Sequence, residues 1–142
     1  VSKIDNVINF INNSNISLPL YSSKVPAGFP SPADDHMEGK LDLNTHLIKH
    51  PTATFFVKAS GESMLGAGIH DGDILVVDRS LEPRKGRVVI AAVDGQLTVK
   101  RLQKKGSKTF LVPENKKFRS IELSENNDVM IWGVVTNVIH KV

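Results

Sequence analysis

The spacing of apolar positions changes character twice along the chain. Ile4, Val7, Ile8 and Ile11 recur at i, i+3, i+4 and i+7, one face of a short helix, and Asn12-Asn13-Ser14-Asn15 stops it. Such a helix is too short to be stable alone and has to dock on something. Residues 17 to 40 hold no sustained period. They carry Pro19, Pro26, Pro30 and Pro32 with Gly28 and Gly39. Proline fixes its own φ and biases its predecessor toward extended geometry, which predicts an exposed, extended arm. Leu41, Leu43, Leu47 and Ile48 then predict a short helical turn closed by Pro51.

From Thr52 onward the pattern is that of strands. Predicted strands cover 54–59, 74–77, 87–93, 96–102, 109–112 and 129–135, rich in Val, Ile, Leu and Phe. Asp94-Gly95 between two of them is the strongest hairpin signal, because this dipeptide supplies the positive φ angles of a type I′ turn. A two-residue loop there places Val89 opposite Lys100. The chain is therefore expected to be mainly β: short strands and hairpins around a small barrel-like core, with an extended N-terminal arm. The arm is assigned to residues 1–38 and the compact domain to 39–142. No internal repeat is visible.

Composition narrows the function classes. The 142 residues fit one domain plus an arm. A net charge of +3 is too weak to name a nucleic-acid partner. The absence of cysteine excludes a disulfide framework, a Cys-ligated metal and a thiol nucleophile, and is compatible with a reducing cytoplasm. No apolar run approaches the ~20 residues that span a bilayer. The first residues lack the apolar stretch of a signal peptide.

Ser60-Gly61-Glu62-Ser63-Met64 follows a predicted strand. Gly61 permits a sharp reversal, and Ser63 would then open the short turn 64–68 with its hydroxyl presented at the strand end. Backbone N–H groups at such a turn can form an oxyanion hole. A serine in this setting also serves as an ordinary cap or turn residue. Lys100 lies on a strand with Leu97, Val99 and Leu102. Alternation puts Thr98, Lys100 and Leu102 on one face and Leu97, Val99 and Arg101 on the other, so each face carries one charge. An exposed Lys100 would only blunt a sheet edge. A buried one would lose charge and could take the proton of Ser63 as a general base. Of His36, His46, His50, His70 and His140, none stands beside a Gly-x-Ser-x-Gly elbow. His46 and His50 have i, i+4 spacing but no zinc-motif context, so both are expected at the surface, and no metal or other cofactor is expected.

The segments 57–64, 68–78, Gly86, 90–95 and 98–102 resemble the LexA/UmuD family of self-cleaving serine peptidases (family S24), and most of all its UmuD branch of SOS mutagenesis proteins. The similarity extends upstream through 27–33 and 41–44, and downstream through Asp128, Gly133, Val134 and Val135. It covers most of residues 19 to 140, and nothing functional carries over to the first 18. The resemblance implies Ser63 as nucleophile, Lys100 as general base and the backbone N–H groups of Glu62 and Ser63 as oxyanion donors. It puts the scissile bond at Ala27-Gly28. The UmuD branch more usually has Cys-Gly there, and Ala-Gly is the LexA-like form. The residues fit this reading, since Ala27 and Gly28 are small enough for a narrow pocket and sit in the extended arm.

The resemblance further implies slow self-cleavage, faster on a RecA filament on single-stranded DNA. It implies a trimmed homodimer that joins a UmuC-type error-prone DNA polymerase in translesion synthesis. No direct sequence-specific DNA binding and no membrane contact are expected, and a cytoplasmic location is. Three rival readings stand beside it. A LexA-like or phage-type repressor needs a DNA-binding domain, and 27 residues before Gly28 are too few for one. A signal-peptidase relative needs a membrane anchor. In a non-catalytic interaction module, Ser63 and Lys100 would be relics.

Overall fold

A computed structural model describes residues 15–21 and 37–142. The predicted helix over 4–11, the Ala27-Gly28 bond and His36 lie outside the described residues. The chain divides into two units, residues 1–49 and 50–142.

In the first unit, β1 (Leu18–Tyr21) pairs antiparallel with β2 (Met37–Leu41), with a register irregularity between Leu20 and Tyr21. Every residue of β1 is exposed, as expected of the arm. Its pairing with β2 was not legible in the proline-rich sequence. The short helix α1 (Leu43–Leu47) begins at Asp42, whose carboxylate accepts the Asn44 and Thr45 N–H groups. This satisfies two of the donors that a helix start leaves unpaired.

The second unit is built on one antiparallel sheet of seven strands. These are β3 (Thr54–Lys58), β4 (Ile74–Asp78), β5 (Val88–Val93), β6 (Gln96–Lys105), β7 (Lys108–Val112), β8 (Ile121–Leu123) and β9 (Val129–Ile139). Their order is β3-β4-β9-β5-β6-β7-β8. The mainly β expectation holds, but the sheet is not closed into a barrel. Among the described residues, β3 and β8 each pair with a single neighbour and form the edges of the sheet. β9 carries two bulges, with Thr136 left unpaired opposite Val76/Val77 of β4 and Trp132 left unpaired opposite Ile90/Ala91 of β5, and a bulge bends its strand and increases the local twist.

The β5–β6 hairpin forms as its sequence predicts. Asp94 (φ 49°) and Gly95 (φ 81°) both take positive φ, and Val89 pairs with Lys100. β5 is covered on both faces. Val89 and Ala91 join a cluster with Leu102, Leu111 and Val134, while Ile90 joins Ala59, Met64, Ile69, Leu75 and Val77. Each fully buried Val, Leu or Ile side chain here contributes about 1.5–3 kcal/mol. The second cluster ties the segment after β3 (Ala59 to Ile69) onto the sheet, and that segment carries Ser63.

Candidate active site

Four hydrogen bonds shape the turn that presents Ser63. Gly61 takes φ 82°, and its N–H donates to the Asp71 carboxylate at 2.7 Å. The positive φ explains why glycine stands two residues before Ser63. Beyond Ser63, the N–H of Gly66 donates to the Glu114 carbonyl at 2.8 Å, and the Glu114 N–H donates back to the Ser63 carbonyl at 2.8 Å. A Cβ on Gly66 would lie 2.7 Å from that Glu114 oxygen, so here glycine is demanded by close approach. The Asn115 side-chain amide donates to the Glu62 carbonyl, pinning the same turn from the 114–115 segment.

Lys100 is buried, at 8% exposure, which settles the question its alternating strand left open. Its Nζ lies 3.1 Å from Ser63 Oγ, 2.6 Å from Thr98 Oγ1 and 3.0 Å from the Val99 carbonyl. No carboxylate pairs with it among the described residues. Burial without a counter-charge disfavours the ammonium form and pushes the Lys100 pKa down from its ordinary 10.5. A neutral amine has two N–H donors and one lone pair. In the neutral form that lone pair is available to accept from a hydroxyl as close as Ser63 Oγ.

Ser63 and Lys100 face a cleft of about 410 Å³. Its walls include Val57, Lys58 and Ala59 from the end of edge strand β3, and Leu97 and Thr98 from the start of β6. β7 pairs with β6 only from Arg101 onward, so this first part of β6 has one unpaired side. Leu97 and Phe118 are exposed apolar residues of the wall.

A family model for peptidase S24-like proteins matches residues 19–136. The chain belongs to the peptidase S24-like family. Among relatives of this S24 chain, protein SamA of Salmonella typhimurium strain LT2 is 49% identical over 123 residues, 87% of this chain and 85% of the relative. Protein ImpA of Escherichia coli is 49% identical over 124 residues, covering 87% and 83%. Protein MucA of Escherichia coli is 44% identical over 122 residues, covering 85% and 83%.

The carbonyls of Glu62 and Ser63 in this S24 chain are engaged, whereas their N–H groups donate to no protein acceptor among the described residues. Among the described residues, none of His46, His50, His70 and His140 lines the cleft. His46 is exposed, as expected. His50, at 49% side-chain exposure, reaches the buried Asp78 at 2.6 Å, and Ser80 donates to the other oxygen of that carboxylate. Serine, histidine and aspartate thus meet there with the carboxylate in the middle, so His50 is no base for Ser80. Sequence reasoning missed the supports of the site. Arg101 holds the Glu114 carboxylate and the Gly86 carbonyl, and Glu114 braces Ser63. Arg101 lies beside Lys100 in sequence, but nothing in the sequence signals that 114–115 returns to the turn.

Among the described residues, no helix is long and apolar enough to cross a membrane.

Proposed function

We propose that this S24 chain is a UmuD-like SOS mutagenesis protein that cuts itself between Ala27 and Gly28. In this reading residues 1–38 are the arm that carries the cleavage site, and 39–142 form the peptidase and dimerisation domain. The single observation that carries it is the 3.1 Å approach of the buried, uncompensated Lys100 amine to the Ser63 hydroxyl inside a cleft.

Ser63 Oγ attacks the carbonyl carbon of Ala27 while its proton passes to Lys100 Nζ. The N–H groups of Glu62 and Ser63 stabilise the oxyanion. The carbon–nitrogen bond to Gly28 then breaks, and Lys100 returns the proton to the departing Gly28 amine. Water, deprotonated by the same amine, hydrolyses the Ala27 ester and restores Ser63. The substrate segment is read in extended form, with Val25 and Phe29 supplying the flanking apolar contacts. A RecA filament on single-stranded DNA accelerates the cut by favouring the conformer with the arm seated and Lys100 neutral. The product, residues 28–142, dimerises and joins a UmuC-type error-prone polymerase in the cytoplasm for synthesis across lesions.

Purified protein held at mildly alkaline pH is expected to yield a fragment beginning at Gly28, and Ser63→Ala and Lys100→Ala to yield none. An intact wild-type chain after incubation with RecA, ATP and single-stranded DNA would overturn the peptidase reading and leave a non-catalytic module. The partner arm is read separately: the trimmed protein should co-purify as a dimer with the polymerase, and failure to do so would overturn that part alone.

A further inference from the structure

Away from the cleft, the β4–β9 pairing brings together three residues that lie far apart in sequence. Ile74 pairs with Ile139, which sets Asp73 beside His140, and His70 belongs to the turn that leads into β4. His140 Nδ1 lies 2.6 Å from Asp73 Oδ1, and His70 Nδ1 lies 3.7 Å from Asp73 Oδ2. The two imidazole rings face each other at 4.5 Å between centroids, tilted by 32°. One potential ligand atom from each residue lies within 4.8 Å of the others. We propose that His70, Asp73 and His140 form a binding site for a divalent first-row transition ion of the Zn²⁺ type.

The donor set favours such an ion over a hard cation. Two imidazoles and one carboxylate suit zinc and its neighbours, whereas Mg²⁺ and Ca²⁺ seek oxygen. Bonds of about 2.0–2.2 Å at tetrahedral angles require ligand atoms about 3.3–3.6 Å apart. His140 lies 2.6 Å from one Asp73 oxygen and His70 3.7 Å from the other, and one ligand atom from each residue lies within 4.8 Å of the others, so closing on an ion requires the two rings to rotate toward a common oxygen. Both histidine side chains are about half exposed and free to make them, while Asp73 is buried and fixed.

Asp73 is also prepared as a ligand. The His70 N–H donates to its Oδ2 at 2.8 Å and fixes the orientation of the carboxylate. A carboxylate oriented by a backbone donor is the outer-shell support that metal sites use. Three protein ligands leave the fourth position to water. The ion would clamp the end of β9 to the turn before β4. That turn also holds Gly61 through Asp71 and Ala59 through the Gly72 N–H, so the clamp lies one contact from the Ser63 turn.

The test is titration of the full chain with Co²⁺ alone, read by visible ligand-field absorption, and with Zn²⁺ alone, read by calorimetry and thermal melting. The expected result is one ion per chain and a raised melting temperature. His70→Gln and His140→Gln should each weaken binding at least about tenfold, whereas His46→Gln and His50→Gln should leave it unchanged. Both critical substitutions fall on exposed rings, and circular dichroism checks that they fold. No saturable 1:1 binding by the wild-type chain would overturn the proposal, as would binding that survives both His70→Gln and His140→Gln.

Discussion

Consider Lys100→Met, which keeps an unbranched apolar stem of similar length and removes the amine. The substitution deletes contacts to Ser63, Thr98 and Val99. Each such bond contributes about 0.5–1.5 kcal/mol net. Most of that loss returns, because Ser63, Thr98 and Val99 line an open cleft where water takes the vacated places. The variant is also relieved of holding a desolvated amine without a counter-charge. The two effects nearly cancel, leaving a stability change within about 1 kcal/mol and a melting shift within about 4 °C. Self-cleavage should fall about 10²–10⁴-fold, the contribution of a positioned general base. Stability should also lose one pH dependence. The wild-type Lys100 pKa is lower folded than unfolded, so the unfolded chain binds more protons and native stability rises as pH climbs toward 10.5. The variant lacks this increment. Timed gel and mass analysis of cleavage, paired with melting curves across pH, separates the two quantities. Cleavage within tenfold of wild type would refute the reasoning. So would a fall in melting temperature beyond about 10 °C, which would make Lys100 a stabilising core residue.

Three further outcomes follow from the packing. Gly66→Ala forces a Cβ against the Glu114 carbonyl and should cost about 1–3 kcal/mol in denaturant melts while slowing cleavage, because Glu114 also braces Ser63. Leu111→Ala, in the cluster that omits the Ser63 segment, should cost about 2–5 kcal/mol yet leave the cleavage rate of folded protein unchanged. Asp73 and Asp78 both titrate below their ordinary 3.8 in the folded chain. Their contribution to stability is present above 3.8 and disappears as pH falls through their folded values, so acid melts should show a steep loss below that point that Asp78→Asn makes shallower.

The parts of the fold that were legible rest on local chemistry. Asp94-Gly95 specifies its own turn, the turn sets the register, and the register puts Val89 across from Lys100. The strands from Thr54 onward were visible as β-branched and aromatic runs. The three-residue β8 was not, because Ile121-Glu122-Leu123 is too short to show alternation. Open sheet and closed barrel share the same strand pattern, and only long-range pairing leaves β3 and β8 as edges.

The candidate site was legible in a different way. Alternation could not orient Lys100, because each face of its strand held one charge. The segment bearing Ser63 decides the matter by packing Met64 and Ile69 into the core, and the 37-residue separation of the pair is closed only by that packing. The supports at Arg101, Glu114 and Asn115, and the His70–Asp73–His140 cluster, depend on contacts between distant segments. No spacing rule in the sequence encodes them.

The central claim is that Ser63 is activated by a neutral Lys100. The pH–rate profile of self-cleavage tests it most directly. The rate should rise about tenfold per pH unit on the acid limb and level off below pH 10.5, with no such rise in Lys100→Ala. A flat profile in the wild-type chain, or the same rise persisting in Lys100→Ala, would contradict it.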